Sequence, residues 1–182
     1  MTILIAGLVL WYGGHFWKRA LPEKHAAMGA KAKGVSALVI VASVVLMVIG
    51  YRATESFDLW IVPSFMKHIT VLLVLIALYF TSPGPSKGAV FYKMRHPMLI
   101  GFKIWTIAHL LVNPDVASFV LFGGLLAWAV LEVIVINRSE PEFTPKPRGS
   151  IGKDAMFLAI SVLLVGVIGY VHGLVGPNPF GG

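Results

Sequence analysis

The sequence of 182 residues contains no cysteine. This absence excludes disulfide bonds, thiolate metal ligands, cysteine-ligated iron–sulfur clusters and a cysteine nucleophile. Any metal that the protein binds must therefore be held by histidine, methionine or carboxylate side chains.

Charged residues are also scarce, at 13% of the sequence against 57% hydrophobic residues. Long apolar runs separated by short charged loops predict a small all-α protein, a polytopic bundle of transmembrane helices in a lipid bilayer. At this length we expect one domain, residues 1–182. The net charge of +7 does not indicate nucleic-acid binding, because the positive residues lie in loops where they orient helices and contact anionic lipids.

Six apolar runs predict about six membrane spans, over about residues 2–17, 35–51, 64–81, 97–112, 115–137 and 154–175. Lysine and arginine are concentrated in the three loops 18–34, 82–96 and 138–153. By the positive-inside rule these loops face the cytoplasm, and both termini face the outer, periplasmic side.

The segment 92–115 places several ionisable side chains in or beside an apolar helix. A charged group inside a bilayer costs a few kcal/mol or more, so such a residue is a functional hypothesis by default. His96 follows Arg95 and precedes Pro97, a pattern that suits the first turn of a helix and also an interfacial phosphate-binding corner. Lys103 has two explanations: it extends to the inner headgroups, or it pairs with Glu132 at the same predicted depth.

Three histidines are candidates for a cofactor site. His109 has Trp105 at i−4, and Phe102 and Met98 further along the same helical face, so it is either a porphyrin ligand beside an aromatic wall or a structural histidine. His15 follows Gly13 and Gly14, which leave room for a flat ligand or allow close helix packing. His68 begins the third run and suits either the outer interface or a ligand role.

Residues 95–132, RHPMLIGFKIWTIAHLLVNPDVASFVLFGGLLAWAVLE, closely resemble the signature region of the NnrU family of bacterial integral membrane proteins. The first run, which ends GGHFWKRA, resembles the opening of that family. The family is named for its association with nitric-oxide response and denitrification loci. The resemblance implies a multi-pass protein of the bacterial inner membrane with a role in nitric oxide response or denitrification.

The family is in turn related to the 15-cis-zeta-carotene isomerase of plants and algae. The resemblance implies haem b held by two histidines, and isomerisation of a polyene double bond without net redox change. It carries one axial ligand to His109 and the other to His15. Thr106 lies where the isomerase has a cysteine, so no thiolate is available for ligand switching here.

The predicted helix ends place His15 and His109 at depths that differ by roughly 13 Å. Two histidines on opposite faces of one haem would then require a porphyrin lying nearly flat in the membrane, whereas His68 with His109 requires no such tilt. We rank the predicted iron ligands His109, His15 and His68. The other predicted cofactor-binding residues are Arg95 and Lys103, as partners of the propionates, with His96 and Trp105.

Under the haem hypothesis the substrate or ligand is nitric oxide or an apolar polyene. Two alternatives to haem chemistry remain open. One is a non-catalytic helper in the assembly of denitrification enzymes. The other is a small membrane methyltransferase that uses S-adenosylmethionine, since the Arg-His-Pro triplet followed by Gly101 occurs in such enzymes. In those enzymes a glutamate-rich, aromatic-rich stretch follows. Residues 137–143 stand in the same place here and resemble that stretch only weakly.

Overall fold

The computed structural model describes residues 1–180, and these form eight helices and no β-strand. The helices are α1 (Thr2–Ala20), α2 (Pro22–Ala27), α3 (Lys31–Arg52), α4 (Met66–Thr81), α5 (Gly84–Lys87), α6 (Pro97–Val112), α7 (Val116–Ser139) and α8 (Ile151–Val175). The predicted all-α class is confirmed.

Each of the six predicted apolar runs is helical in the structure. Among the described residues, α3, α7 and α8 are long and apolar enough to cross a membrane, and α4 and α6 are shorter apolar helices of 16 residues. Many of their large apolar side chains are exposed, as a lipid environment requires. The structure thus supports a membrane protein with three candidate spans, while the total of six and the orientation of the termini remain predictions.

The described chain forms two compact units. Unit 1 consists of residues 1–60 and 114–132, and contains α1, α2, α3 and most of α7. Unit 2 consists of residues 61–113 and those from Val133 onward, and contains α4, α5, α6, the end of α7 and α8.

In unit 1, α1 and α3 pack closely and antiparallel through glycine. A Cβ atom on Gly7 would lie 2.7 Å from Cγ of Met47, and one on Gly14 would lie 3.0 Å from Cγ1 of Ile40. Small residues let two helix backbones approach, which gives van der Waals contact where the hydrophobic effect is weak.

In unit 2, α4 and α6 pair in the same way. A Cβ atom on Gly101 would lie 2.6 Å from the carbonyl oxygen of Ala77, and the Thr70 hydroxyl donates to the carbonyl of Ala108 at 3.3 Å. His96 is the residue before the first turn of α6 and Pro97 opens that turn, as the sequence predicts. Residues 140–150 form no helix or strand, again as predicted.

A buried carboxylate links α8 to the segment that follows α5. Asp154, in the first turn of α8, accepts hydrogen bonds from the Tyr79 hydroxyl and the Ala89 backbone N–H, each at 2.6 Å. The backbone N–H of Val90 donates to the same carboxylate oxygen, Oδ2, as the N–H of Ala89, at 3.3 Å. This network holds α4, α8 and the stretch before the Arg-His-Pro triplet together.

Candidate functional site

The first candidate site is an aromatic cluster around His15 in unit 1. The ring of His15 lies 4.3 Å from that of Trp11 and 4.5 Å from that of Trp128, between centroids. Its Nδ1 lies 2.8 Å from the carbonyl oxygen of Trp11. A carbonyl oxygen can only accept, so Nδ1 is the donor, and in the neutral ring Nε2 then keeps the lone pair with which a histidine binds a metal.

An ion pair lies one helical turn further along both helices of this cluster. Nη1 of Arg19, four residues after His15, lies 2.9 Å from Oε1 of Glu132, four residues after Trp128. The other carboxylate oxygen of Glu132 is buried and has no hydrogen-bond partner among the described residues. The structure thus corrects the suggested pairing of Glu132 with Lys103. The reason is that α1 continues past the predicted end at residue 17, which makes Arg19 part of the helix.

The two glycines before His15 differ in their surroundings. Gly14 packs against Val39 and Ile40 of α3, whereas a Cβ atom on Gly13 would have no atom within 4 Å. The hydroxyl of Tyr12 donates to the carbonyl of Gly124 on α7 at 2.7 Å. Close packing therefore accounts for Gly14, and open space adjoins Gly13.

The second candidate site surrounds His109 in unit 2. The ring of Trp105 lies 4.9 Å from that of His109, and the ring of Phe102 lies 5.4 Å from that of Trp105, so the predicted aromatic face of α6 is present. The side-chain amide of Asn113 donates to the His109 carbonyl at 2.8 Å and lies 3.4 Å from Nδ1. Sequence reasoning missed Asn113 as a partner, although its i+4 spacing from His109 is a usable signal.

Two further predicted site residues of unit 2 are His68 and Lys103. His68 lies in the first turn of α4 and is exposed. Lys103 is half-buried, and its carbonyl accepts from the hydroxyl of the fully buried Thr106 at 2.8 Å. No group of three or more histidine, aspartate or glutamate side chains in the described chain is arranged to hold a metal ion.

The Arg-His-Pro triplet forms a third feature, where the start of α6 meets the segment after α7. The guanidinium of Arg95 donates to the carbonyls of Glu140 and of Pro141, the latter at 3.2 Å, and lies 5.6 Å from the centre of the Phe143 ring. Nε2 of His96 lies 2.8 Å from the side-chain oxygen of Asn137. The structure therefore brings the Arg-His-Pro triplet into contact with residues 137–143. The sequence had connected these two segments only under the methyltransferase alternative.

Beside these contacts is a cleft of about 300 Å³. We call it the basic corner cleft, and it is lined by Ser86, Tyr92, Met94, Arg95, His96, Pro97, Met98, Leu99, Phe143 and Lys146.

These features define a helical integral membrane protein that carries an aromatic-flanked histidine in each unit and a basic cleft at one helix terminus. The family model described as NnrU protein matches residues 3–179, so the chain belongs to the NnrU family. This confirms the resemblance found in the sequence. Comparisons with curated proteins and with solved structures gave no match.

Proposed function

We propose that this NnrU-family membrane protein binds haem b and that His15 would be one of the residues that hold its iron. The observation that carries the proposal is the hydrogen bond from Nδ1 of His15 to the Trp11 carbonyl, at 2.8 Å. A second group that fixes the tautomer and the ring orientation of a histidine is the usual support of a metal ligand. The donor set is consistent with haem, because neutral imidazole suits iron and the chain lacks cysteine.

The neighbours of His15 have definable roles in such a site. Trp11 and Trp128 limit the rotation of the imidazole ring, since each lies within 4.5 Å of it between ring centroids. Arg19 and Glu132 hold the same two helices together one turn away. These contacts prepare one ring nitrogen to bind iron without further reorganisation of the helices.

The second axial ligand is proposed from the resemblance. His109 is the first candidate and His68 the second. The amide of Asn113, 3.4 Å from Nδ1 of His109, acts there as a donor, which favours a proton on Nε2. Ligation by Nε2 of His109 would therefore require the other tautomer and a rotation of the Asn113 amide.

Bound haem would supply a redox-active iron, and His15 together with His109 or His68 would hold it. We infer a role in nitric oxide response or denitrification, or in polyene isomerisation, from the family resemblance. A helper in enzyme assembly is the competing function, and it requires no stoichiometric haem.

The test is the visible spectrum of the detergent-purified protein, oxidised and reduced, with a pyridine haemochrome assay. We expect a b-type spectrum near one haem per chain. His15→Ala should lose haem or give a five-coordinate spectrum, and His109→Ala should change the spectrum with less loss of haem. His25 on α2, whose ring centroid lies 4.9 Å from that of Trp17, provides the matched control, since His25→Ala should leave both haem content and spectrum unchanged.

A wild-type protein that remains colourless after addition of haem would refute the cofactor and favour the helper function. A His15→Ala protein with full haem content and an unchanged spectrum would remove His15 from the site while leaving haem binding in place.

A further inference from the structure

We propose that the basic corner cleft binds the phosphate group of an anionic membrane lipid. The proposal concerns a site separate from the His15 cluster and does not require haem. It is based on the positive charge of the lining, on its apolar wall and on the position of the cleft at the N-terminal end of α6.

The lining carries positive charge without a balancing carboxylate. Arg95 and Lys146 line the cleft, and none of its ten lining residues is aspartate or glutamate. The hydrogen bonds from Arg95 to the carbonyls of Glu140 and Pro141 fix its guanidinium but do not neutralise it, because a carbonyl is uncharged. Such a lining selects an anion, and phosphate matches both the guanidinium and the ammonium group.

The hydroxyl groups of Ser86 and Tyr92 add hydrogen-bonding capacity to the lining. The first turn of α6 adds further donors, since the structure shows no side-chain hydrogen bond capping it. Backbone N–H groups at the start of a helix favour an anion. Here they supplement the two cations.

The rest of the wall is apolar, which distinguishes a lipid from a free phosphate. Met94, Pro97, Met98, Leu99 and Phe143 line the cleft, and Met98 is 65% exposed at the start of apolar α6. An anionic headgroup beside Lys146 would let its acyl chain follow α6. The predicted cytoplasmic position of the loops 82–96 and 138–153 also places the cleft in the leaflet that attracts basic segments to anionic lipids.

S-adenosylmethionine fits this cleft less well. Arg95 or Lys146 could pair with its carboxylate, but its sulfonium and ammonium groups are positive and its ribose hydroxyls donate, so it also requires acceptors such as carboxylate side chains. None of the ten lining residues supplies such a carboxylate.

The experiment is native mass spectrometry of the full-length protein, with retention of phosphatidylglycerol measured against phosphatidylcholine. Lys146→Gln should reduce phosphatidylglycerol retention about fivefold, the effect of one basic residue near an anionic headgroup, and Lys146→Arg should retain most of it. Lys146 is exposed in an irregular segment, so its substitution should leave the fold intact. Lys33→Gln makes the same charge change at an exposed lysine in the first turn of α3, so it is the matched control and should have no effect.

Soluble competitors distinguish the source of the phosphate. Glycerol phosphate and inorganic phosphate should displace the lipid weakly, because neither uses the apolar wall. Equal displacement by either would show a site for free phosphate and overturn the lipid proposal. If the protein binds S-adenosylmethionine and Lys146→Gln weakens that binding, the lipid proposal is overturned in favour of a methyltransferase site. The lipid proposal is also refuted if Lys33→Gln loses as much phosphatidylglycerol as Lys146→Gln, or if Lys146→Gln loses none.

Discussion

Arg19 on α1 and Glu132 on α7 form an ion pair with 2.9 Å between Nη1 and Oε1. The Glu132 side chain is 9% exposed and that of Arg19 is 24% exposed. A carboxylate in this position depends on its partner, because removing one member of a buried pair leaves an uncompensated charge.

We predict that Arg19→Ala lowers the free energy of unfolding by about 2 kcal/mol, less than for a fully buried pair because Arg19 is partly exposed. Lys18→Ala, an exposed neighbour in the same helix, should cost little. The measurement is thermal unfolding in detergent. Adding Glu132→Gln to Arg19→Ala should restore part of the loss, and equal effects of Lys18→Ala and Arg19→Ala would contradict the pair.

Local sequence signals predicted the six longer helices, because hydropathy and proline placement act over a few residues, but the short helices α2 and α5 lie in the predicted loops 18–34 and 82–96. The run predicted over 97–112 coincides with α6, and Pro97 opens the helix as its missing N–H allows. The contact between Trp105 and His109 follows from the i, i+4 spacing of one helix.

The pairing of Glu132 with Arg19 and the contact of His15 with Trp128 could not be predicted in this way. Which helices pack side by side is decided by contacts such as Gly14 against Ile40, which no local pattern specifies. The suggested pair of Lys103 and Glu132 used predicted depth alone, and depth does not fix lateral position. The end of α1 mattered too, since three additional helical residues brought Arg19 to the face that holds His15.

Asp115 precedes α7 and provides a pH-dependent prediction. Burial raises the pKa of its carboxyl group, but hydrogen bonds from the hydroxyl and N–H of Ser118 and from the hydroxyl of Ser56 outweigh it, so the pKa lies below the ordinary 3.8. A lowered folded-state pKa stabilises the protein above the unfolded value, and this contribution disappears as the pH falls through the folded pKa.

The thermal midpoint of the wild type should therefore fall more steeply than that of Asp115→Asn as the pH drops from about 5 to about 3. At neutral pH, Asp115→Ala should cost about 1 kcal/mol through loss of the helix cap. Glu23→Gln, which removes the charge of an exposed carboxylate on α2 in the same unit, is the control and should retain the wild-type slope. Parallel curves for the wild type and Asp115→Asn would show that the Ser118 contacts do not favour the ionised form.

The Tyr79 hydroxyl and the Asp154 carboxylate, 2.6 Å apart, provide the third prediction. Tyr79→Phe removes one donor to a buried carboxylate and should lower the free energy of unfolding by about 1–3 kcal/mol. Tyr170→Phe makes the same chemical change at an exposed site on α8 and should have little effect. Chemical denaturation in detergent compares the two, and equal midpoints would show that the hydrogen bond contributes nothing measurable to the fold.

Gly7 and Gly13 provide a matched pair within α1. A Cβ atom on Gly7 would lie 2.7 Å from Cγ and 2.8 Å from the backbone nitrogen of Met47, whereas one on Gly13 would have no atom within 4 Å. The side chain of Met47 can move, but its backbone is fixed in α3, so Gly7→Ala must separate the two helices and should cost about 1–3 kcal/mol.

Gly13→Ala should be neutral or should stabilise the protein by up to about 1 kcal/mol, since alanine favours the helix and meets no obstacle. Thermal unfolding of both variants in the same detergent gives the comparison. A Gly7→Ala protein as stable as Gly13→Ala would mean that α1 and α3 do not approach as closely as the structure places them. Because the two changes are chemically identical and lie in one helix, any difference between them reports the packing of α1 on α3 alone.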